Sequence, residues 1–480
     1  MNTKILGLFA GAFCLSVAAY GEIKLPSVFS DNMVLQQNTT VRMRGEARPG
    51  SGVTISPSWS QSAVAVKADS KGHWVADIKT PSAGGPYTVR LSDGEELMLD
   101  NVLVGEVWFC AGQSNMEMSV KGFDRQPADH AADIISRAKP AKNIRAFVTD
   151  TKRGTWIDQA SKVPQSDMKG EWLVNSSDQV PYISAVAYTF ADYINEVLEV
   201  PVGVLVSTLG GSRIEAWLPR EVAQLYPEIN LSHLDTDEPI KNMRDDASVI
   251  YNAKVAPLHD FPIRGMLWYQ GESNRDNASL YERMMPAMVK DYRDKWGCGE
   301  FPVYFVEIAP FNYEGPEGTS AARFREAQTQ VMKSVPRCEI VSTLDIGHPV
   351  FIHPTDKVTV GNRLARLALA DTYGQTGYEV KSPVFKSIDI QGKKVYVNVD
   401  NAPYGLCPMW TELEGFEIAG SDKVFHPAKA EIETSTCRLV VWNDDVDSPV
   451  AVRYAYKNYP AATVFDTYGL PLLPFRSDNW

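Results

Sequence analysis

Apolar positions along this chain follow two rhythms, and the rhythm changes twice. Over residues 22–102 apolar and polar residues alternate in short runs at 40–44, 52–55, 63–66, 73–78 and 87–91, broken by Arg48-Pro49-Gly50 and Ala83-Gly84-Gly85-Pro86. Period-two alternation between Gly/Pro turns predicts short half-buried strands, here a small β-sandwich. From 103 to 378 the pattern is different: continuous apolar runs at 103–111, 202–207, 264–269, 303–308 and 339–344 alternate with helical periodicity at 184–198, 280–296, 322–334 and 359–373. Strands without a polar face are covered on both sides, so this portion predicts an α/β fold with a parallel sheet between two helical layers. From 379 to 480 short alternating runs return, at 388–390, 394–399, 416–418, 439–441 and 451–456, and predict a second β-region. A polar stretch at about 121–179, with Trp156 and Trp172 in polar surroundings, reads as an insertion in the central domain and a candidate rim for its site.

Composition changes this picture at the amino terminus. Lys4, the apolar run 5–18 and Ala19-Tyr20-Gly21 have the form of a secretory signal over residues 1–21, so a periplasmic or secreted protein is expected. No later segment approaches a membrane span, and no membrane association is expected after cleavage. Removing Lys4 leaves 46 basic against 59 acidic residues, about −13, which disfavours nucleic acid as a partner. Cys110, Cys298, Cys338, Cys407 and Cys437 lack Cys-x-x-Cys spacing, so no metal site and no cofactor is expected. Two pairings, Cys298 with Cys338 and Cys407 with Cys437, are compatible with an oxidising compartment.

The candidate chemistry sits where buried runs stop. The first ends in Gly112-Gln113-Ser114-Asn115, which delivers a serine to the crevice at the carboxyl end of a strand. The second ends in Gly210-Gly211, where a backbone can approach closely enough to donate N–H groups. The third opens on Gln270-Gly271-Glu272, and after the last central strand come His348 and His353. Acyl transfer needs a nucleophile, a base and donors for an oxyanion; Ser114, His353 and the groups at Gly211 and Gln270 supply these types.

Four ordered motifs carry a resemblance. Gly112-Gln113-Ser114-Asn115-Met116, the Gly211–Trp217 segment (Gly-Ser-Arg-Ile-Glu-Ala-Trp), the Trp268–Asn274 segment (Trp-Tyr-Gln-Gly-Glu-Ser-Asn), and Ile352-His353-Pro354 with Lys357, Val360-Gly361 and Arg363-Leu364 closely resemble the sialate O-acetylesterase family of SGNH-type serine hydrolases. Val34-Leu35-Gln36, Gly469-Leu470-Pro471 and Pro474-Phe475-Arg476 extend the likeness over nearly the whole mature chain. The resemblance implies a flavodoxin-like SGNH sheet, Ser114 as nucleophile, His353 as general base, and an oxyanion hole from the Ser114 backbone, the Gly210-Gly211 turn and Gln270. It implies an O-acetylated sugar as substrate, sialic acid first, with acetylated xylan or another plant glycan as the alternative sugar. A catalytically degenerate glycan-binding protein is the reading from another class. One departure stands out: members with Asp-Ile-His carry a carboxylate two residues before the histidine, where this chain has Phe351 and, one residue earlier, Val350. The orienting acid is then either absent or supplied by Asp345 or Glu272, the latter also a candidate for loop support; Arg213 is a candidate for a sialate carboxylate or for a structural ion pair.

Overall fold

A computed structural model of the chain describes residues 23–149, 159–315 and 317–480. The expected signal segment and Trp156 lie outside the described residues. The central sheet is built from β1 (Glu96–Gly112), β2 (Ile144–Thr149), β3 (Gly170–Val174), β4 (Val202–Thr208), β5 (Gly265–Tyr269), β6 (Val303–Val306) and β7 (Cys338–Val341). Their order is β7-β6-β5-β1-β4-β2-β3, and every neighbouring pair is parallel except β2 with β3. The sheet is therefore mixed, with one antiparallel strand closing an otherwise parallel array.

Two helical layers cover it, as the unbroken apolar runs require. Trp108, Cys110, Val204, Val206, Leu267 and Tyr269 face a core shared with α1 (Ala185–Leu198) and α4 (Lys357–Asp371). The alternate residues Phe109, Ala111, Leu205, Met266 and Trp268 face the opposite core, shared with α2 (Ala278–Trp296) and α3 (Ser320–Ser334). Side chains point to opposite faces at successive strand positions, so each strand feeds both cores.

The polar stretch expected as an excursion holds two strands of this sheet. Every residue of β2 is buried, and its run was broken in the sequence by Arg145, whose guanidinium folds back to the Ile144 carbonyl at 3.1 Å. Trp172 is likewise buried, its indole N–H donating to the Val28 carbonyl at 2.8 Å. All five described cysteines are free thiols, so neither pairing forms.

The amino-terminal strands Gly52–Pro57, Val64–Lys67 and Gly84–Ser92 join the central sheet through β1, which runs for 17 residues across the boundary expected at 102/103. The carboxy-terminal strands form two four-stranded antiparallel sheets and a two-stranded pair, Leu406–Cys407 with Phe465–Asp466, and Val395, Val397, Ile418, Val441, Val452 and Tyr454 belong to one buried core. That unit is tied to the central one by Arg325, whose Nη1 and Nη2 donate to the Lys457 and Asn458 carbonyls, both at 2.9 Å. Among the described residues no helix is long and apolar enough to cross a membrane.

Candidate active site

Strand register decides where the chemistry converges. Gly112, the last residue of β1, is level with Tyr269 at the end of β5 and Thr208 at the end of β4. The three adjacent strands therefore release Gln113-Ser114, Leu209-Gly210-Gly211 and Gln270-Gly271 at one height, at the carboxyl edge where α/β sheets bind ligands. Gly112 has φ +142°, and a Cβ there would stand 2.2 Å from the Tyr269 carbonyl oxygen. Only glycine lets Gln113 N–H reach that same carbonyl at 3.0 Å and turn the chain into the short helix Ser114–Glu117.

Ser114 and His353 meet there. The imidazole Nε2 lies 2.8 Å from the serine Oγ, and Nδ1 lies 2.7 Å from the Gln126 side-chain oxygen. Burial, aided by the nearby Lys357 ammonium, lowers the His353 pKa to about 4, so the ring is neutral above that pH and has a lone pair to offer. Gln126 was not singled out in the sequence: it lies in an aperiodic polar stretch, 227 positions from its partner.

Neither candidate acid touches the imidazole. Asp345 forms a two-point ion pair with Arg363, at 2.8 and 2.7 Å. Glu272 takes the loop-support role: buried, it accepts from Asn115 Nδ2 at 2.6 Å. The same Nδ2 donates to the Ile352 carbonyl at 3.2 Å, and Asn115 Oδ1 accepts from the buried Lys357 ammonium at 2.6 Å. Asn115, beside Ser114, is thus clamped to Ile352, beside His353. Burial raises the Glu272 pKa and pulls Lys357 down to about 7.

The Gly210-Gly211 turn closes the other side. A Cβ on Gly210 would come within 3.4 Å of Ser114 Cβ, so the backbone runs directly against the serine. Gly211 adopts φ +74°, and its carbonyl is held by Ser273 Oγ at 3.0 Å. Among the described residues the N–H groups of Ser114, Gly210 and Gly211 have no intramolecular acceptor. Gln270 has a different position from the one expected: its amide nitrogen donates to the Ser212 carbonyl at 3.0 Å and to Asn274 Oδ1 at 2.8 Å. It braces the turn and leaves no amide N–H for the cleft. Asn274, also buried, accepts from Ile214 N–H at 2.9 Å and donates to Glu215 at 2.8 Å, which zips the second and third motifs together.

Arg213 is engaged too. Its guanidinium donates to the Ser273 carbonyl at 2.8 Å and to Asp276 at 3.1 Å, and lies 3.5 Å from Glu215. The cavity of about 620 Å³ that it lines also carries Glu228, Glu238, Asp245 and Asp246, against Lys241 and His233.

A three-layer α/β sheet with a hydrogen-bonded serine and histidine at its carboxyl edge defines an esterase-type hydrolase fold. The comparisons agree at the level of family. The carbohydrate esterase, sialic acid-specific acetylesterase family matches residues 104–370, and this chain belongs to it. Similar curated proteins include the sialate O-acetylesterases of Mus musculus, 27% identical over 94% of each chain, and Homo sapiens, 27% identical over 78% of this chain and 76% of that one. A solved carbohydrate acetylesterase from Xanthomonas citri superposes with TM-score 0.85 at 33% identity, covering 96% of this chain and 100% of the other. The protein is an esterase that removes O-acetyl groups from carbohydrate.

Proposed function

We propose that Ser114 is the nucleophile and His353 the general base of this deacetylation; the observation that carries the reading is the 2.8 Å contact between Nε2 and Oγ at the carboxyl edge of the sheet. His353 takes the Ser114 proton as Oγ attacks the acetyl carbonyl carbon. The negative charge moves to the carbonyl oxygen, where the N–H groups of Ser114 and the Gly210-Gly211 turn face it; one such donor is worth about 3–4 kcal/mol of barrier. Collapse breaks the ester bond, and the departing sugar oxygen takes the proton from His353. Water then gives a proton to His353 and attacks the acetyl-serine, releasing acetate and restoring Ser114.

For the sugar, the curated relatives' names favour O-acetylated sialic acid. A specific observation supports a second reading, a neutral acetylated glycan: the Arg213 guanidinium donates through Nη1 to Ser273 and Asp276 and lies 3.5 Å from Glu215, so two carboxylates already compensate its charge. The amino-terminal signal supports a periplasmic or secreted location.

Acetate release from O-acetylated sialic acid and from acetylated xylo-oligosaccharide, by the parent and by Ser114→Ala, tests both levels. The serine variant should lose at least about a thousandfold in kcat; parental rates would refute the assignment. The substrate with the higher kcat/KM selects between the two sugars. The acid limb of kcat/KM should fall near pH 4, because protonating His353 removes the base; a limb at the ordinary histidine value of about 6.5 would contradict the environment described.

A further inference from the structure

We propose that Gln126 is the positioning residue of this active site: a neutral amide does the work that a carboxylate does in a serine triad, holding the His353 ring by accepting its Nδ1 proton. The proposal rests on the Ser114–His353 assignment above and adds to it the identity and charge of the third member.

Three observations carry it. The first is the contact itself: Oε1 stands 2.7 Å from Nδ1, opposite the Nε2 that faces Ser114. A neutral imidazole has one N–H and one lone pair, and an acceptor at Nδ1 leaves the lone pair on Nε2, the only tautomer that can deprotonate the serine. The second is that among the described residues no hydrogen bond or ion pair joins a carboxylate to the ring, whose two nitrogens meet Gln126 and Ser114. Asp345 is on Arg363, Glu272 is on Asn115, Asp129 accepts from Thr355 Oγ1 at 2.9 Å, and Asp356 accepts from Thr359 N–H at 2.8 Å. The residue two before the histidine is Phe351, which has no carboxylate to offer.

The third is that the segment carrying Gln126 is built to present it. Phe123 and Gln126 exchange both backbone hydrogen bonds, at 2.9 and 3.0 Å, around a tight turn with Arg125 at φ +64°. Gly122, at φ +82°, lets the chain pass so close that a Cβ would be 2.4 Å from the Gln126 carbonyl. Phe123 puts its ring edge-on to the imidazole, with centroids 5.3 Å apart. Three residues on, Asp129 N–H donates to the Thr355 carbonyl at 2.9 Å, two residues past His353. The turn and the histidine loop are thus stitched on both sides of the Gln126–His353 contact.

A neutral third member has a chemical consequence. When His353 takes the serine proton it becomes an imidazolium; a carboxylate would stabilise that charge, whereas an amide oxygen offers only its dipole. The charged group acting on the ring is then Lys357, which opposes protonation; Asp124 and Arg125 on the turn are exposed. The enzyme keeps its base unprotonated into acidic solution and gives up part of the charge stabilisation a carboxylate would supply. An amide also has a failing that a carboxylate lacks, since turning it over would present N–H to Nδ1 and fix the wrong tautomer.

The test uses the full chain, a chromogenic acetate ester, and three variants. Gln126→Glu keeps reach and acceptor while adding charge: the acid limb of kcat/KM should move up by one pH unit or more, with kcat at neutral pH equal to or above the parent's. Gln126→Met keeps the bulk and removes the acceptor: kcat should fall roughly 10- to 100-fold, with KM within about twofold, since the group acts through the histidine. Ser114→Ala serves as the blank. An unmoved acid limb in Gln126→Glu, or a parental kcat in folded Gln126→Met, overturns the proposal while an inactive Ser114→Ala leaves the nucleophile in place. If Gln126→Met does not fold, the Glu arm decides alone. Parental activity in Ser114→Ala would overturn the reaction assignment and this proposal with it.

Discussion

The two halves of the active site are held by different kinds of structure. Ser114 leaves a buried strand flanked on both sides by parallel partners in register, and the residues around it are backbone, glycine and core. His353 stands in a loop after β7 whose preceding residues Val350 and Phe351 are 71% and 46% exposed. It is aimed by side chains from far away in the chain: Gln126 at its Nδ1, Phe123 on its ring, and Asn115 on the Ile352 carbonyl. Ser114 is positioned by the fold, His353 by a small number of specific contacts. Changes on the first side should therefore cost stability, and changes on the second should cost rate.

The largest effect is expected at Gly112. A methyl group there meets the Tyr269 carbonyl at 2.2 Å, in a backbone conformation with φ +142° that side chains rarely adopt. Gly112→Ala must part β1 from β5 or distort the turn, at a cost of roughly 2–6 kcal/mol from overpacking and backbone strain together. Urea unfolding followed by circular dichroism measures it. A change below about 0.5 kcal/mol would mean that the strand ends are looser than this register implies.

Lys357 lies where the two halves touch, and its effect should be intermediate and of both kinds. Lys357→Met leaves Asn115 Oδ1 without its donor and the Glu272 carboxylate without a nearby compensating ammonium, a loss of roughly 2–4 kcal/mol. Adding Glu272→Gln should recover part of it, so the double variant should be more stable than the two single losses summed. The lost ammonium also stops opposing the imidazolium, so the acid limb of kcat/KM should rise from near pH 4. Strictly additive stabilities would separate Lys357 from Glu272 and leave only a packing role for the lysine.

What could be read from the chain divides along the same line. The buried strands, the helices between them, Ser114 and the glycine turn were legible because short-range pattern determines them: apolar runs end abruptly in small polar residues. Strand β2 was hidden by one charge, Arg145, whose guanidinium turns back to the backbone so that the strand around it stays in the core. Gln126 was hidden for a different reason. Its role depends on a turn closed by backbone bonds and on a partner 227 residues away, and no local rhythm records either. Gln270 and Asp345 had suitable chemistry at suitable strand ends, but whether such a group faces the cleft or braces a loop depends on neighbours from other motifs. Ser212 and Asn274 engage the first, and Arg363 the second.

The smallest effect is expected at Phe351, which makes it the sharpest probe of how the histidine side is organised. Phe351→Asp places a carboxylate two residues before the histidine. The position is 46% exposed, its ring lies against His348, and the loop is also shaped by His348 Nδ1 accepting from the Val350 and Phe351 N–H groups, both at 3.2 Å. Replacing it should change stability by no more than about 0.5 kcal/mol. It should also leave kcat within about twofold, because the Nδ1 proton is already taken at 2.7 Å by Gln126 and a second acceptor has nothing to accept. The informative comparison is the same substitution in Gln126→Met, where Nδ1 is free. Recovery of kcat there, and not in the parent, would place both side chains in competition for one proton and show that either loop can aim this base. A large gain in the parent background would mean instead that Gln126 holds the ring loosely, and that the histidine half was waiting for a charge.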